Sequence, residues 1–406
     1  MVRIAAFEVE QWMDEYETTP GCLNIAETCA ASVSVDELMA LSEDKSAPGP
    51  IDFSTKLVYG PIRGSDPLRQ RVAELCGSDG SGARSILKQD DVLITQGAIG
   101  ANFLLLYTLV NPSDHVICVY PTYQQLYGVP ESLGADVSLW RLKKENDFVP
   151  DVKELEGLLK SNTKAFLSLM IIINNPNNPT GAPIPTTVLK DIVAFAKTHN
   201  LILFSDEVYR PLFHNFFEDG SEVPPPVTTF GYEKVIVTGS MSKSYALAGI
   251  RIGWIASKDK GIIQAIASAR DYTTISVSQI DDQIASYALS RQVWTPLLKR
   301  NVALANTNKA LLEAFIEKHK KVCSWVKPKA GTTAFVQFTH GGKPVDDVKF
   351  CLDVLNKTKV FFVPGSRCFG DGKDFPGYVR IGYVCHTEVL KEALEKLEKY
   401  VEANLS

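Results

Sequence analysis

The sequence predicts an α/β fold with a mostly parallel sheet, followed by a smaller α+β domain. Apolar stretches such as 92–96 and 115–120 are continuous rather than alternating, as expected for strands that are buried on both faces. Helical stretches separate these strands as far as about residue 258, which favours parallel pairing. After that residue long helices and a few short strands follow, and this change of pattern predicts the second domain.

The elements follow in chain order. The predicted strands of the large domain are 92–96, 115–120, 136–142, 164–173, 201–206, 234–239 and 249–256, and the helices between them are 99–110, a helix ending near Leu133, 151–160 and 185–199. For the second domain we expect helical stretches through 259–320, strands near 322–326, 333–339, 360–364 and 378–384, and helices at 345–356 and 386–403. The first 50 residues are interpreted as an irregular arm beside that domain, so the predicted boundaries are 1–50, 51–285 and 286–406.

Composition and charge exclude several classes of protein. The 406 residues include 42 Lys and Arg against 47 Asp and Glu, and the net charge of −5 argues against a nucleic-acid partner. The apolar runs are shorter than the ~20 residues that span a bilayer, and Glu8 and Glu10 interrupt the segment where a secretory signal would be apolar. These two observations predict no membrane association and no export. The eight cysteines form no CxxC pair and the histidines do not cluster near them, which predicts reduced thiols in a cytoplasmic protein and no metal site.

The strongest chemical signal is the segment SMSKSYALAGIRIGW at 240–254, which follows a predicted strand. Lys243 has the hydroxyls of Ser242 and Ser244 on either side, and Arg251 lies eight residues later. A lone lysine at a strand end is usually just solvent-exposed, but hydroxyls and an arginine around it can hold an anion. The amine can also form a Schiff base with a carbonyl. Pyridoxal phosphate requires both features, because it has an aldehyde and a phosphate.

Two further polar segments follow predicted strands, where ligands bind in open α/β sheets. The loop NNPNNPTG at 174–181 is too rich in Asn and Pro to be helical. In SDEVYR at 205–210, Asp206 can supply the carboxylate that holds a proton on a pyridine nitrogen, and Tyr209 can offer its hydroxyl to the ring oxygen. Taken alone, each segment is more typical of a turn or a helix cap.

A small-residue turn and a charged strand residue complete the pattern. The amides of QGAIGA at 96–101 begin a predicted helix and can bind a phosphate, although a tight turn without a ligand is the alternative. Arg380 lies within the apolar strand YVRIGYV at 378–384, where a charged residue needs a partner. That partner is either the carboxylate of an amino acid, by bidentate pairing, or a structural salt bridge.

In their order and spacing, these motifs resemble the class I/II aminotransferases, the aspartate-aminotransferase-like branch of fold type I pyridoxal-phosphate enzymes. The resemblance runs from about Tyr59 to the C-terminus and also includes YGPIRGSDPLRQRVA, PTYQQLY and VPGSRCFG. It implies a large domain with a mostly parallel seven-stranded-type sheet, a smaller α+β domain and pyridoxal 5'-phosphate as cofactor. It also implies an amino-acid substrate, a 2-oxo acid for transamination, and a homodimer with shared active sites.

The resemblance implies a role for each matching residue. Lys243 resembles the Schiff-base lysine, Asp206 resembles the carboxylate that pairs with the ring nitrogen, and Arg380 resembles the residue that binds the substrate α-carboxylate. The resemblance implies that Asn178, Tyr209 and Tyr123 contact the cofactor ring. For Asn178 it also implies a contact with the substrate. Contacts to the phosphate are implied for the amides of Ala98 and Ile99, for Ser240, Ser242 and Arg251, and for Tyr59 of the neighbouring subunit.

The N-terminal segment departs from the family pattern. Most members have a glycine-containing segment there, whereas this chain reads CLNIAETCAASVSVDEL at 22–38. Together with the opening WMDEYE, the segment is more similar to capreomycidine-synthase-like members of specialised metabolism. Glu27 and Thr28 are expected to face either the active site or the surface. In a partly dry site, the pKa of Glu27 would be raised and its carboxyl could donate a proton to a leaving group.

Two functions remain open at this stage. The first is an aminotransferase acting on a neutral or aromatic L-amino acid, because ARDYTTISVSQ at 269–279 has no second arginine in register for an acidic substrate. The second is a lyase (C–S or other β/γ-elimination) or a cyclase of specialised metabolism, which would use the same core residues. A third interpretation, a ligand-sensing regulator, requires a DNA-binding domain, for which we expect no room before Tyr59.

Overall fold

The structure is a computed structural model that describes residues 4–78, 84–160 and 169–405. Its strands are β1 (Leu23–Asn24), β2 (Val92–Gln96), β3 (His115–Tyr120), β4 (Asp136–Arg141), β5 (Leu169–Asn174), β6 (Ile202–Asp206), β7 (Val235–Ser240), β8 (Ile252–Ser257), β9 (Cys323–Trp325), β10 (Thr333–His340), β11 (Lys343–Pro344), β12 (Val360–Phe361), β13 (Val363–Pro364) and β14 (Tyr378–Gly382). Its α-helices are α1 (Glu8–Tyr16), α2 (Val35–Leu41), α3 (Asp66–Gly77), α4 (Gly97–Leu109), α5 (Gln125–Leu133), α6 (Leu155–Leu158), α7 (Thr186–Thr198), α8 (Lys260–Arg270), α9 (Gln279–Ala288), α10 (Arg291–Lys318), α11 (Asp347–Thr358), α12 (Gly365–Phe369) and α13 (Thr387–Asn404).

A seven-stranded sheet in the order β2-β8-β7-β6-β5-β3-β4 forms the centre of the larger part of the molecule. Strand β8 is antiparallel to both of its neighbours, and the other pairs are parallel. Alternate residues of β5 enter two different hydrophobic clusters, with Met170 and Ile172 on one face and Ile171 and Ile173 on the other. Both faces are therefore buried, which explains the continuous apolar strands, and the predicted mostly parallel sheet is confirmed.

A second, antiparallel sheet lies in the C-terminal part of the chain. Strands β11, β10, β14 and β13 are neighbours in that order, and β9 also pairs with β10. Helices α11 and α13 pack against each other beside this sheet. The predicted smaller α+β unit is confirmed, with the strand expected at 360–364 divided into β12 and β13.

Residues 4–50 contain regular secondary structure, so the expectation of an irregular N-terminal region was wrong. They form α1, α2 and β1, and β1 pairs in parallel with β12. Helix α2 begins at a capping box, in which the Ser34 hydroxyl accepts from the backbone N–H of Glu37 and the Glu37 carboxylate accepts from that of Ser34. Helix α1 is held by Trp12, which is 1% exposed and whose indole N–H donates to the carbonyl of Phe362 at 3.1 Å.

Between β1 and α2, the N-terminal segment lies against β14. The backbone N–H of Gly382 donates to the carbonyl of Ile25 at 2.7 Å. A side chain at Gly382 would overlap the carbonyl oxygen of Glu27, so this close approach requires glycine. The segment is therefore fixed to the small sheet, directly beside the strand that carries Arg380.

Other sequence predictions differ in detail. The helix expected at 151–160 is a 3-10 turn, Val152–Glu154, and the single turn α6. The Asp151 side chain caps that turn, and Gly157 disfavours a longer helix. Part of the strand expected at 164–173 lies outside the described residues, and β5 begins within the rest of it. No described helix is long and apolar enough to cross a membrane, and all eight cysteines are free.

Replacing Trp12 tests how α1 is anchored. We expect Trp12→Ala to lower the free energy of unfolding by about 3–5 kcal/mol, because a large buried ring is lost. Trp12→Phe keeps a six-membered ring but loses the five-membered ring of the indole and the hydrogen bond to Phe362, and should cost less than Trp12→Ala but at least about 1 kcal/mol. Urea unfolding followed by circular dichroism measures both values. Equal stabilities of Trp12→Ala and the parent protein would contradict the proposed anchor.

Candidate active site

One cavity of about 630 Å³ brings together twelve of the thirteen residues predicted from the sequence. Its volume is within the range of about 300–1,000 Å³ typical of small-molecule sites. The predicted residues that line it are Glu27, Ala98, Ile99, Tyr123, Asn178, Asp206, Tyr209, Ser240, Ser242, Lys243, Arg251 and Arg380. Tyr59 lies outside this cavity, and its side chain is 82% exposed.

The cavity lies at the carboxyl ends of three adjacent parallel strands. Strands β5, β6 and β7 end at Asn174, Asp206 and Ser240 in that order across the sheet, and all three residues line the cavity. The loop after β5 brings in Asn178, whose backbone N–H donates to the Asn174 side chain at 2.7 Å. The turn after β7 brings in Lys243.

Asp206 is an almost fully buried carboxylate, 3% exposed. Its Oδ2 accepts from Nδ2 of Asn102 at 2.9 Å, and its Oδ1 accepts from the backbone N–H of Val208 at 3.1 Å. Burial raises the pKa of Asp206 to about 6, and these two donors only partly offset that increase. The carboxylate thus favours a cationic partner in the cavity, as a protonated pyridine nitrogen would be.

Asn102 was not predicted from the sequence. Its carbonyl accepts from the Thr238 hydroxyl at 2.7 Å, which fixes the amide so that its N–H₂ group faces Asp206. Asn102 lies on α4, and Thr238 lies on the neighbouring β7. No local motif marks this contact, because it depends on how the helix packs across the sheet.

The amine of Lys243 faces the N-terminal segment. Its Nζ donates to the Thr28 hydroxyl at 2.6 Å and to Sγ of Cys29 at 3.4 Å, and lies 3.5 Å from Oε1 of Glu27. Burial opposes the charge of this amine, but Cys29, Glu27 and Tyr209 outweigh burial and raise the pKa of Lys243 above its ordinary value. Glu27 and Thr28 therefore face the site and not only the surface, which is one of the two placements that the sequence left open.

The expected raised pKa of Glu27 was wrong. Burial alone would raise it, but the charge of Lys243 and the hydrogen bonds that Glu27 accepts lower the pKa to about 2. The donors are the backbone N–H groups of Thr28 at 2.6 Å and Cys29 at 3.0 Å, both to Oε1. Glu27 is therefore ionised at neutral pH and cannot act as the proton donor that the sequence suggested.

A cradle for an anion lies where α4 begins. Gly97 has φ +69°, and a Cβ there would lie 2.6 Å from Nη2 of Arg251. The backbone N–H groups of Ala98 and Ile99 are in the first turn of α4, where helices lack internal acceptors, and the N-cap side chain of Gln96 makes no capping hydrogen bond. Arg251 and these amides together fit a phosphate group.

Ser240 and Ser242 lie at the same end of the cavity. The Ser240 hydroxyl accepts from the backbone N–H of Ser242 at 3.2 Å, and Nη1 of Arg251 lies 3.5 Å from the Ser242 hydroxyl. The hydroxyls of these serines and the guanidinium of Arg251 therefore line one wall together. The set of donors suits pyridoxal phosphate, whose phosphate would contact this wall while its ring nitrogen faces Asp206.

Arg380 projects from β14 into the cavity and is 3% exposed. Its Nη2 donates to the carbonyl of Ala26 at 3.0 Å, and its Nη1 lies 3.5 Å from Oδ1 of Asn178. Its buried Nε has no hydrogen-bond partner among the described residues. These contacts contain no carboxylate, so Arg380 retains a donor and an unneutralised charge for an anionic ligand.

Helix α1 contributes acidic groups that the sequence analysis did not assign to the site. The Tyr123 hydroxyl donates to Oε1 of Glu10 at 2.8 Å, and the Tyr123 ring packs against Phe7 with 4.8 Å between ring centroids. Glu10, Asp14 and Glu17 all line the cavity. Because the segment was expected to be irregular, its helical spacing gave no signal.

Comparisons with known proteins agree with the geometry. The family model described as aminotransferase class I and II matches residues 39–397. The aspartate aminotransferase of Thermotoga maritima is 29% identical over 347 residues, covering 84% of this chain and 83% of that protein. Capreomycidine synthase of Streptomyces vinaceus is 28% identical over 346 residues, covering 84% and 80%. A solved PLP-dependent aminotransferase from Streptococcus suis is 37% identical, with a TM-score of 0.85 and 99% of both chains covered. The resemblance inferred from the motifs is confirmed.

A pair of glycine variants on α4 tests the phosphate cradle. Gly97→Ala should weaken pyridoxal-phosphate binding at least about tenfold, because the new methyl group displaces Arg251 and the positive φ is strained. Gly100→Ala is the matched control, since the nearest atom to a Cβ added at residue 100 would be the Cβ of Gln96, at 3.7 Å. Titration of the apo-protein with the cofactor, followed by absorbance, gives both dissociation constants. Equal constants for the two variants would place the phosphate elsewhere.

Proposed function

Because the chain belongs to the class I and II aminotransferase family and uses pyridoxal 5'-phosphate, we propose that it transfers the amino group of an L-amino acid to a 2-oxo acid in the cavity around Lys243. One observation carries this proposal: Lys243, Asp206 and Arg380 line a single cavity. They supply the amine, the buried carboxylate and the guanidinium that this chemistry requires. As the sequence suggests, an acidic side chain is not preferred.

When bound, pyridoxal phosphate supplies an aldehyde for amino groups and a protonated ring that withdraws electrons from the substrate Cα. Asp206 would hold the proton on the ring nitrogen, and Asn102 orients its carboxylate. Asn178 and Tyr209 would bind the ring oxygen, and Tyr123 would hold the ring. The residues that would bind the phosphate are Ala98, Ile99, Ser240, Ser242 and Arg251.

Arg380 and Lys243 act on different groups of the substrate. The free Nε of Arg380 and its remaining donors bind the α-carboxylate, which fixes the direction of the Cα–H bond. The Lys243 amine then accepts the Cα proton as general base. The ionised carboxylate of Glu27, 3.5 Å from Nζ, stabilises the positive charge that Lys243 acquires.

We further propose a homodimer in which Tyr59 contacts the phosphate in the partner subunit. Phe53, Leu57, Val58 and Tyr59 are each at least 70% exposed, and Tyr272 is 93% exposed. Apolar side chains grouped in this way on a surface are typical of protein–protein contacts. Within one chain Tyr59 lies outside the active-site cavity, so only a second copy could use it there.

Chemical trapping tests the role of Lys243. The purified protein should be yellow, and borohydride should link the cofactor to the peptide that contains Lys243, as read by mass spectrometry. Lys243→Arg should lower turnover by about 10²–10⁴-fold through loss of the base. Lys309→Arg is the control, because Lys309 is half-buried beside a different pocket. Label on another lysine would contradict the assignment.

A second candidate function is elimination or ring closure. The observation that favours it is the contact of Glu27 and Thr28 with the Lys243 amine, since this places an ionised carboxylate and a hydroxyl beside the group that transfers protons. Transamination needs only Lys243 for proton transfer. With its pKa lowered to about 2, Glu27 neither removes the Cα proton nor protonates a leaving group. It would instead hold the Lys243 ammonium in place, after Lys243 has accepted the Cα proton, while that ammonium donates the proton to the leaving group.

Turnover without an acceptor separates the two functions. Transamination without a 2-oxo acid should stop after one equivalent of substrate per active site, because the amino group stays on the enzyme. Elimination or cyclisation continues, because the cofactor is restored in each cycle. Product counting by mass spectrometry gives the number of turnovers. Sustained turnover would reject the aminotransferase, and Glu27→Gln would then show whether that carboxylate is required.

A further inference from the structure

Three carboxylates of the N-terminal region line one wall of the active-site cavity. Glu10, Asp14 and Glu17 follow each other at intervals of four and three residues along α1 and its C-cap. This spacing places them on one face of the helix, and all three line the cavity. Glu27 is a fourth carboxylate on the cavity surface, between this wall and Lys243.

The α1 carboxylates are not neutralised by the protein. Glu8, which lies on the same helix but does not line the cavity, pairs with Arg367 at 2.7 Å. In the described part of the chain, no lysine or arginine nitrogen lies within 4 Å of the carboxylates of the three wall residues. Burial raises the pKa of Glu17, and the charges of Glu27, Asp14 and Glu10 raise it further, so the carboxylates act on one another.

The positive groups of the same cavity have other partners in the proposed reaction. Among the described lining residues these groups are Lys243, Arg251 and Arg380, which would meet the cofactor aldehyde, the phosphate and the substrate carboxylate. The unpartnered, buried Nε of Arg380 independently indicates that a ligand binds here through an anionic end. The other end of that ligand then faces an acidic wall.

We propose that the preferred substrate is an L-amino acid whose side chain carries a positive charge, such as a guanidinium or ammonium group. This inference rests on the proposed function, because it takes Arg380 as the α-carboxylate site. It replaces the neutral or aromatic side chain expected from the sequence, since the acidic wall became visible only with α1 in place. All four carboxylates precede residue 39, where the match to the family model begins.

Arginine and citrulline make a sharp test, because they have nearly the same shape and differ in side-chain charge. The holoenzyme is mixed with each amino acid without a 2-oxo acid, and the change in cofactor absorbance is followed by stopped flow. This first step is common to transamination and elimination. At low ionic strength we expect the second-order rate constant for arginine to exceed that for citrulline at least about tenfold. The ratio should fall at 0.5 M salt, because salt screens exposed charges.

Two double variants locate the source of the preference. Asp14→Asn/Glu17→Gln should lower the arginine to citrulline ratio at least about fivefold and leave the citrulline rate nearly unchanged. Glu10 is left intact in this variant, because it accepts the hydrogen bond of Tyr123. Glu15→Gln/Asp36→Asn is the charge-matched control, because these exposed carboxylates do not line the cavity. Circular dichroism and cofactor content verify that both proteins fold.

The outcomes distinguish the inference from the function on which it rests. Equal rates for arginine and citrulline, or a preference that survives the wall variant, would overturn the cationic substrate while the aminotransferase proposal stands. If the wall variant does not fold, the single variant Asp14→Asn is tested instead. Its arginine to citrulline ratio must be lower than that of Glu15→Gln. Absence of any absorbance change with every amino acid, in a protein that carries its cofactor, would reject the proposed function itself.

Discussion

Parallel pairing of β5, β6 and β7 is the constraint on which the active site depends, because parallel strands end at the same edge of a sheet. Asn174, Asp206 and Ser240 are the last residues of these strands, and each one begins a connection that lines the cavity. Residues as far apart in the chain as Asn174 and Ser240 thus line the same cavity, and the Asn174 side chain also donates to the carbonyl of Asp206 at 3.1 Å. The buried strands supply the rigidity that loops alone lack.

The second part of the site comes from the other sheet and from the N-terminal segment. Arg380 projects from β14, and Thr28 and Glu27 reach Lys243 from the segment beside that strand. The large sheet and the N-terminal segment have opposite electrostatic effects. The large sheet holds Asp206 in a dry environment that favours a cationic ring, whereas the N-terminal segment surrounds a cationic amine with acceptors. Neither half forms the site without the other.

The sequence predicted the fold class and the positions of the core site residues because these features are encoded locally. Lys243 and Asp206 each follow a continuous apolar strand, so the end of the strand is visible in the sequence. Asn102 was missed because its partner depends on packing between a helix and a sheet. The predicted shift in the pKa of Glu27 had the wrong direction, because its main charged neighbour, Lys243, is more than 200 residues away in the chain.

Helix α1 was missed for a related reason. Its anchor is a hydrogen bond and a buried indole that connect Trp12 with a residue of the C-terminal part of the chain, Phe362. The segment looks polar in the sequence because much of its acidic surface is exposed to the cavity rather than to a core. The acidic wall of the cavity was therefore visible only in the tertiary structure, whereas the family could be recognised from local motifs.

The contact between Gly382 and the N-terminal segment affects which substrate side chains fit the cavity. Arg380 and Gly382 lie on the same strand, and the segment that leads back from Glu27 to α1 is fixed to that strand by the Gly382–Ile25 hydrogen bond. The arginine and the acidic wall are therefore joined through the backbone of this segment, and the Tyr123–Glu10 hydrogen bond fixes α1 to the larger part of the molecule as well. In the proposed binding mode, the fixed separation between Arg380 and the wall sets the length of the side chain that the cavity accepts.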